Sequence, residues 1–254
     1  MADKKILLEV PVETLDDAIS ATRGGADRLE LCASLEVGGL SPSESLLKVL
    51  LQEVATPVVA MVRPRSGGCF YTDRDFQVML AQRDALIKAG ASGIVFGFLD
   101  KDGHIDENRL DLFIKDMPDF IETVFHRAFD LVADAGESLE LLISKRITRV
   151  LTSGLSPSAS EGIAVLKSLV RQAGQRIEIL AGGGIRMENV SEIITQTGVH
   201  QIHSSCRATA QDRSPRLRPE IRFGLPQLTP ETEHRRTDAG LVACMRAAIL
   251  FGAE

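Results

Sequence analysis

Between residues 5 and 205 a short apolar run gives way eight times to a longer segment of helical period, and this alternation constrains the fold more than any other feature of the chain. The strand candidates are 5–10, 27–32, 57–63, 93–98, 120–126, 147–152, 176–181 and 200–205, each followed by a helical pattern. Thr14-Leu15-Asp16-Asp17 and Ser41-Pro42-Ser43-Glu44 open two helices, and Asp73 caps a long one that runs to Gly90, a residue suited to a left-handed C-terminal cap. Ser156-Pro157-Ser158 and Ile185-Arg186-Met187-Glu188-Asn189 precede two more. Strands that are apolar on both faces imply a parallel sheet covered by helices. Eight such units close most naturally as an α/β single-domain (β/α)8 TIM barrel over 1–254, with a doubly wound open sheet as the competing arrangement. An open sheet uses one switch-point crevice, whereas a barrel collects groups from nearly every strand end, and here ionisable residues end many strands. Residues 208–236 are Arg-rich, punctuated by Pro and without sustained period, and read as an irregular excursion before a final helix at 238–251.

The formal net charge of −6, without basic clustering, argues against a nucleic-acid surface while leaving room for a local basic pocket that binds a small anion. The apolar runs are too short to span a membrane, and the start, Met1-Ala2-Asp3-Lys4-Lys5, has no signal-peptide pattern, so a cytoplasmic location is expected. Cys32, Cys69, Cys206 and Cys244 are scattered without zinc or disulfide-framework spacing and are expected to be free thiols.

Phe125-His126-Arg127-Ala128-Phe129-Asp130 ends an apolar run with an imidazole, a guanidinium and a carboxylate. His126 with Asp130 suits a general base and its orienting carboxylate, with Arg127 as a substrate anchor. A buried histidine satisfied by a backbone carbonyl is the plainer alternative. Because strand side chains alternate, His126 and Arg127 cannot both face the barrel interior, and one belongs to the loop. Arg63-Pro64-Arg65-Ser66-Gly67-Gly68 presents two planar donor forks, Arg63 toward the mouth and Arg65 equally suited to a surface ion pair.

Gly182-Gly183-Gly184 follows the seventh strand and His203-Ser204-Ser205-Cys206-Arg207 the eighth, the position at which barrels commonly hold phosphate. Gly183 and Gly184 let the backbone approach an anion and the helix beyond offers free N–H groups, with Ser204 and Ser205 adding hydroxyls. An ordinary tight turn is the alternative. Glu9 and Glu30, at the ends of the first two strands, can act as an acid–base pair, bind a metal, or serve as counter-ions to Arg63 and Arg127, the last being the expected role. Cys32 shares a face with Glu30, and near arginines its thiol would ionise more readily and act as nucleophile or soft-metal ligand. A small buried apolar cysteine is the alternative. Cys69, in a glycine-rich loop, is expected to be more exposed.

The chain resembles the CutC family, historically called copper homeostasis proteins. The resemblance rests on Leu8-Glu9-Val10, Gly24-Gly25-Ala26-Asp27-Arg28-Leu29-Glu30-Leu31-Cys32, Gly38-Gly39-Leu40-Ser41-Pro42-Ser43 and the Arg63 to Gly68 segment. It continues through Gly97-Phe98-Leu99-Asp100-Lys101-Asp102-Gly103, the Phe125 to Asp130 segment, Arg149-Val150-Leu151-Thr152-Ser153-Gly154, Gly182-Gly183-Gly184-Ile185 and His203-Ser204-Ser205. It implies a cytoplasmic (β/α)8 barrel, often a homo-oligomer, linked to copper tolerance or Cu(I) binding. Members proposed to bind Cu(I) carry a cysteine directly after Glu9-Val10, where this chain has Pro11, so Cys32 alone remains of the two implied thiol ligands. Cu(I) favours two or more soft ligands, and the substitution weakens a copper site here. The competing expectation is an enzyme acting on a small phosphate- or carboxylate-bearing molecule by general acid/base chemistry.

Overall fold

The computed structural model describes residues 5–224 and 228–251. Eight parallel strands close into a barrel in chain order, with the eighth paired back to the first. They are β1 (Leu7–Val12), β2 (Arg28–Leu31), β3 (Val58–Met61), β4 (Gly93–Phe96), β5 (Glu122–Phe125), β6 (Arg149–Thr152), β7 (Glu178–Ala181) and β8 (Gln201–His203). The helices between them are α1 (Leu15–Arg23), α2 (Glu44–Glu53), α3 (Asp73–Ala89), α4 (Glu107–Ile114), α5 (Ala135–Ser144), α6 (Ile163–Ala173) and α7 (Val190–Thr197). Seven of the expected strand runs contain a strand and the first, 5–10, overlaps β1, which runs on to Val12; the pairing of β1 with β8 excludes the open sheet.

Strand alternation splits the buried residues into two populations. Outward residues such as Leu8, Val10, Leu29 and Leu31 pack beneath the helices in the main core. Phe96 and Phe125 join Phe98 there against Phe76 of α3 and Phe113 of α4, with the Phe96 and Phe113 centroids 4.4 Å apart. This aromatic wedge fixes the ends of β4 and β5, and with them His126. Inward residues of β3 to β7 form a separate apolar cluster that includes Val59, Met61, Val95, Val124, Leu151 and Leu180. Glu9, Arg28, Glu30, Gln201 and His203 on β1, β2 and β8 are polar inward residues, and at the N-terminal end of the bore they join Glu122, Arg149 and Glu178 of β5 to β7 in a charged layer beneath the apolar cluster.

The helix caps show one correction. α3 is capped by Thr72 rather than Asp73: Thr72 Oγ1 accepts from the Asp75 amide at 3.1 Å, and Asp75 Oδ2 accepts from the Thr72 amide at 3.2 Å. Such a reciprocal box satisfies two otherwise free N–H groups. Thr72→Ala is expected to cost about 1 kcal/mol in urea denaturation, and an unchanged midpoint would show that the box contributes nothing. Gly90 ends α3 with φ of 107°, as expected. α6 begins only at Ile163 and α7 only at Val190, later than the turn residues suggested, because short turns intervene.

The segment read as irregular is ordered at both ends. β9 (Arg207–Gln211) and β10 (Glu233–Thr237) form an antiparallel pair that leads into α8 (Ala239–Phe251). Between them, Thr229 donates a 2.6 Å hydrogen bond to Glu36, which draws this segment over the loop after β2. Residues 225–227 of that segment lie outside the described residues. Among the described residues no helix is long and apolar enough to cross a membrane.

Candidate functional site

The C-terminal ends of the strands surround a cavity of about 1180 Å³. Glu30, Arg63, His126, Arg127, Gly183, Gly184, His203 and Ser205 all line it, so groups spread from β2 to β8 do meet at one mouth. Arg65 does not line the cavity. It pairs with Asp75 at 3.1 Å, donates to the Phe70 carbonyl at 2.7 Å and stacks over Tyr71, which makes it a brace for the loop that follows β3.

The charged network begins at the opposite end of the barrel. Arg149, 1% exposed, donates to Glu178 at 2.9 Å, to Glu122 at 3.1 Å and to Gln201 at 2.8 Å. Gln201 Oε1 also accepts from Arg28 at 2.8 Å, and Arg28 pairs with Glu9 Oε2. The other Glu9 oxygen is 2.8 Å from His203 Nδ1, and His203 Nε2 is 3.9 Å from Glu30 Oε2. A polar file therefore runs along the bore from Glu122 and Glu178 to the mouth. Every link joins inward residues on neighbouring strands or across the bore, as the registers of Glu9 with Arg28 and with His203 require.

These contacts overturn the expected counter-ion roles. Glu9 and Glu30 do not pair with Arg63 or Arg127. Arg63 instead donates to the carbonyls of Val37, Gly39 and Gly67 at 2.7–2.9 Å, and so clamps two loops. Arg127 donates to Asp130 at 2.7 Å and to Ser153 at 2.9 Å. Burial alone would raise the Glu9 carboxyl, but the Arg28 guanidinium and His203 hold it well below the usual carboxylate range. Glu30 lacks such a partner: burial raises it against the pull of His203, and the Glu9 charge adds to the rise. For His203 burial disfavours the charged form, yet Glu30 and Glu9 together raise its pKa. Glu30 Oε1 is buried with no hydrogen-bond partner.

Cys32 departs from expectation most clearly. Its thiol donates to Glu30 Oε2 at 3.4 Å, and burial followed by the Glu30 charge pushes its pKa well above that of a free thiol. The arginines expected to ionise it are committed elsewhere. Cys69, expected to be more exposed, is only 8% exposed, and burial raises its thiol too. Cys32 is thus a protonated thiol beside a carboxylate, with Pro11 on the neighbouring strand.

His126 is 5% exposed, and its Nδ1 accepts from the Ala128 amide at 3.0 Å. The ring proton therefore sits on Nε2, a buried atom that has no partner. Burial, reinforced by Arg63, lowers its pKa to about 3. His126 is a neutral donor at ordinary pH, so this geometry makes it an electrophile and not the base expected from sequence. Its ring lies against Gly97, where an added Cβ would fall 2.5 Å from Nδ1, so only glycine permits this close approach. Asp130 makes no hydrogen bond to it. That carboxylate is occupied by Arg127, Thr152, the Ser153 amide and hydroxyl, and the Leu155 amide, which fastens the turn after β5 to the loop after β6. His126 and Arg127 diverge, because Arg127 leaves the strand and begins a 3-10 turn over Arg127–Leu131.

Gly183 and Gly184 have φ of 97° and 72°, and their amides donate to no backbone carbonyl among the described residues. A Cβ on Gly183 would lie 3.2 Å from Arg127 Cζ, so the guanidinium rests on the glycine loop. Arg127 Nη1 has no partner among the described residues, as its bonds run from Nε and Nη2. The N-terminus of α7 is not at this loop, because α7 starts only at Val190. Ser204 is also committed, donating to the Ile185 carbonyl at 2.9 Å and tying the loops after β7 and β8 together, while Ser205 stays exposed in the mouth.

Sequence reasoning passed over Arg28, Arg149, Gln201 and the role of His203. The available signal was period two: Arg28 with Glu30, and Gln201 with His203, place polar side chains on the same inward face of strands that are otherwise apolar.

The CutC family model matches residues 6–208 of the chain. A family protein CutC of Treponema denticola is 44% identical over 228 residues, covering 90% of this chain and 92% of that protein. A copper homeostasis protein cutC homolog of Homo sapiens is 39% identical over 241 residues, covering 95% of this chain and 88% of its own length. Among solved structures, a copper homeostasis protein CutC from Streptococcus agalactiae superposes with a TM-score of 0.74 at 34% identity, covering 78% of this chain and 97% of that one.

Proposed function

The chain belongs to the CutC family, and from that premise we propose that it serves the copper-related role in its relatives' names as a cytoplasmic small-molecule enzyme rather than as a Cu(I) carrier. Its substrate is a small phosphate- or carboxylate-bearing molecule. The observation that carries this reading is the set of uncommitted donors on one wall of the mouth: Arg127 Nη1, the Gly183 and Gly184 amides, and His126 Nε2–H. Donors held in place before the ligand arrives suit an anion and any negative charge that develops on it. Across the same cavity, His203 and Glu30, with Glu9 behind the imidazole, form a floor that can exchange a proton with the bound molecule by general acid/base chemistry. Cu(I) fits this donor set poorly, since it favours two or more soft ligands, the Cys32 thiol is held protonated beside Glu30, and burial raises the thiols of Cys69 and Cys206, which line the mouth.

With inorganic phosphate as the probe, thermal stability of the full chain is expected to rise, and Arg127→Lys is expected to weaken phosphate binding roughly tenfold, because lysine cannot both brace on Asp130 and Ser153 and present the free Nη1 donor. Phosphate bound equally well by both proteins would place the anion elsewhere and sink the assignment. Anaerobic Cu(I) titration provides the opposing arm. If Cys32→Ala lowers Cu(I) affinity more than about tenfold, the carrier reading replaces this one.

A further inference from the structure

We infer that His203 and Glu30 bind a divalent first-row transition ion at the floor of the mouth, with Glu9 orienting the imidazole. The donor atoms of Glu9, Glu30 and His203 lie within 4.8 Å of one another. Their hydrogen bonds sort these atoms into different roles. Glu9 has no free oxygen, because Oε2 accepts from Arg28 and Oε1 from His203 Nδ1 at 2.8 Å. With the His203 proton on Nδ1, the Nε2 lone pair points to Glu30. A carboxylate behind the far nitrogen of an imidazole is the arrangement that metal-binding histidines use to fix tautomer and direction.

The gap in front of Nε2 is the second observation. Glu30 Oε2 lies 3.9 Å from Nε2, too far for a hydrogen bond. An ion held at roughly 2.0–2.2 Å by a histidine nitrogen and a carboxylate oxygen spans that separation. Glu30 is 2% exposed, and its Oε1 is buried without any partner. A buried carboxylate oxygen left unpaired is costly, and a cation against it removes that cost. Glu30 and His203 both line the mouth, so the remaining coordination positions are open to water or to a bound molecule, as at a catalytic ion and unlike a closed structural site.

The donors select the ion. One imidazole nitrogen and carboxylate oxygen favour a divalent ion such as Zn²⁺ or Mn²⁺ over the soft Cu(I). Cys32, whose thiol donates to Glu30 Oε2 at 3.4 Å, stands beside the site and is not required for it. The inference rests on the reading of the mouth as a reaction chamber, and gives the floor a more specific part: water on the ion carries the proton that the floor exchanges.

The test uses the full-length chain, stripped with a chelator and dialysed against Zn²⁺, Mn²⁺ or Co²⁺. One ion per chain is expected, with a Co²⁺ visible spectrum that reports nitrogen and oxygen ligation. Glu30→Gln and His203→Gln, each checked for folding by circular dichroism, are expected to weaken binding at least roughly 100-fold, and Glu9→Gln roughly tenfold because it acts through the imidazole. Cys32→Ala should leave affinity and spectrum unchanged. The inference is overturned if no ion binds at one per chain, or if folded Glu30→Gln keeps both the affinity and the Co²⁺ spectrum. The phosphate thermal shift, measured in the stripped protein, separates the two readings: phosphate binding without an ion defeats the metal site alone, whereas an ion without phosphate binding defeats the anion wall alone.

Discussion

Arg28→Met is expected to destabilise the protein by about 3–5 kcal/mol, seen as a lower urea midpoint with an unchanged slope. Arg28 is 4% exposed and Glu9 1%, so the carboxylate left behind keeps its charge inside the barrel with His203 as its remaining side-chain hydrogen-bond partner among the described residues. Gln201 loses one of its two guanidinium partners at the same time. Methionine fills much of the arginine volume, so the loss reports the charge and its hydrogen bonds more than a cavity. Arg28→Met combined with Glu9→Gln should be more stable than the sum of the two single changes predicts, by about 1–3 kcal/mol, because the second substitution removes the stranded charge. A loss below about 1 kcal/mol for Arg28→Met would mean that water reaches Glu9 and that the polar file is not a buried network.

The second large effect is a loss of stability in acid that traces to His126. Its pKa is about 3 in the folded protein, whereas an unfolded histidine titrates near 6.5. Between these values the unfolded chain binds the proton and the folded chain does not, so this contribution to stability is fully present above about pH 6.5 and is lost as pH falls toward 3. At about 1.4 kcal/mol per unit, the whole window amounts to roughly 4–5 kcal/mol. Carboxylates titrate over part of the same range, so the measurement is the difference between the native protein and His126→Asn. The asparagine side-chain oxygen can still accept from the Ala128 amide, and the variant cannot be protonated. Its stability profile is expected to be markedly flatter from pH 6.5 to 4, and parallel curves for the two proteins would refute the buried neutral imidazole.

Together these two effects describe a mouth built from groups that are fixed before any ligand binds. Arg28 and Arg149 hold the charged network, Arg63 and Asp130 fasten the loops, and among the described residues the groups left without partners include Glu30 Oε1, His126 Nε2, Arg127 Nη1, Arg207 Nε and the Gly183 and Gly184 amides. Ser204 illustrates how sequence reading over-assigned the site. A hydroxyl beside a glycine loop suits an anion, yet this one is buried and bonded to Ile185. Nothing local to Ser204 reveals that, since the carbonyl it reaches belongs to the preceding βα unit.

What the chain order determined by itself was the architecture and the end of the barrel at which polar groups gather. Apolar runs on both faces and helical periods between them are local properties, and eight of them in succession leave little besides a closed parallel barrel. Pairing was decided only on closure. Period two shows that Glu9, Glu30, Arg63 and His203 face inward, but strand stagger chooses which of them touch. Glu9 and His203 come together across 194 residues only because β8 returns to β1. That contact, with Arg28 one strand over, turned Glu9 from an expected counter-ion of Arg63 into the support of an imidazole. Charge and proton position depend on distances of a few ångströms inside a poorly screened interior, and no pattern along the chain specifies distances that small.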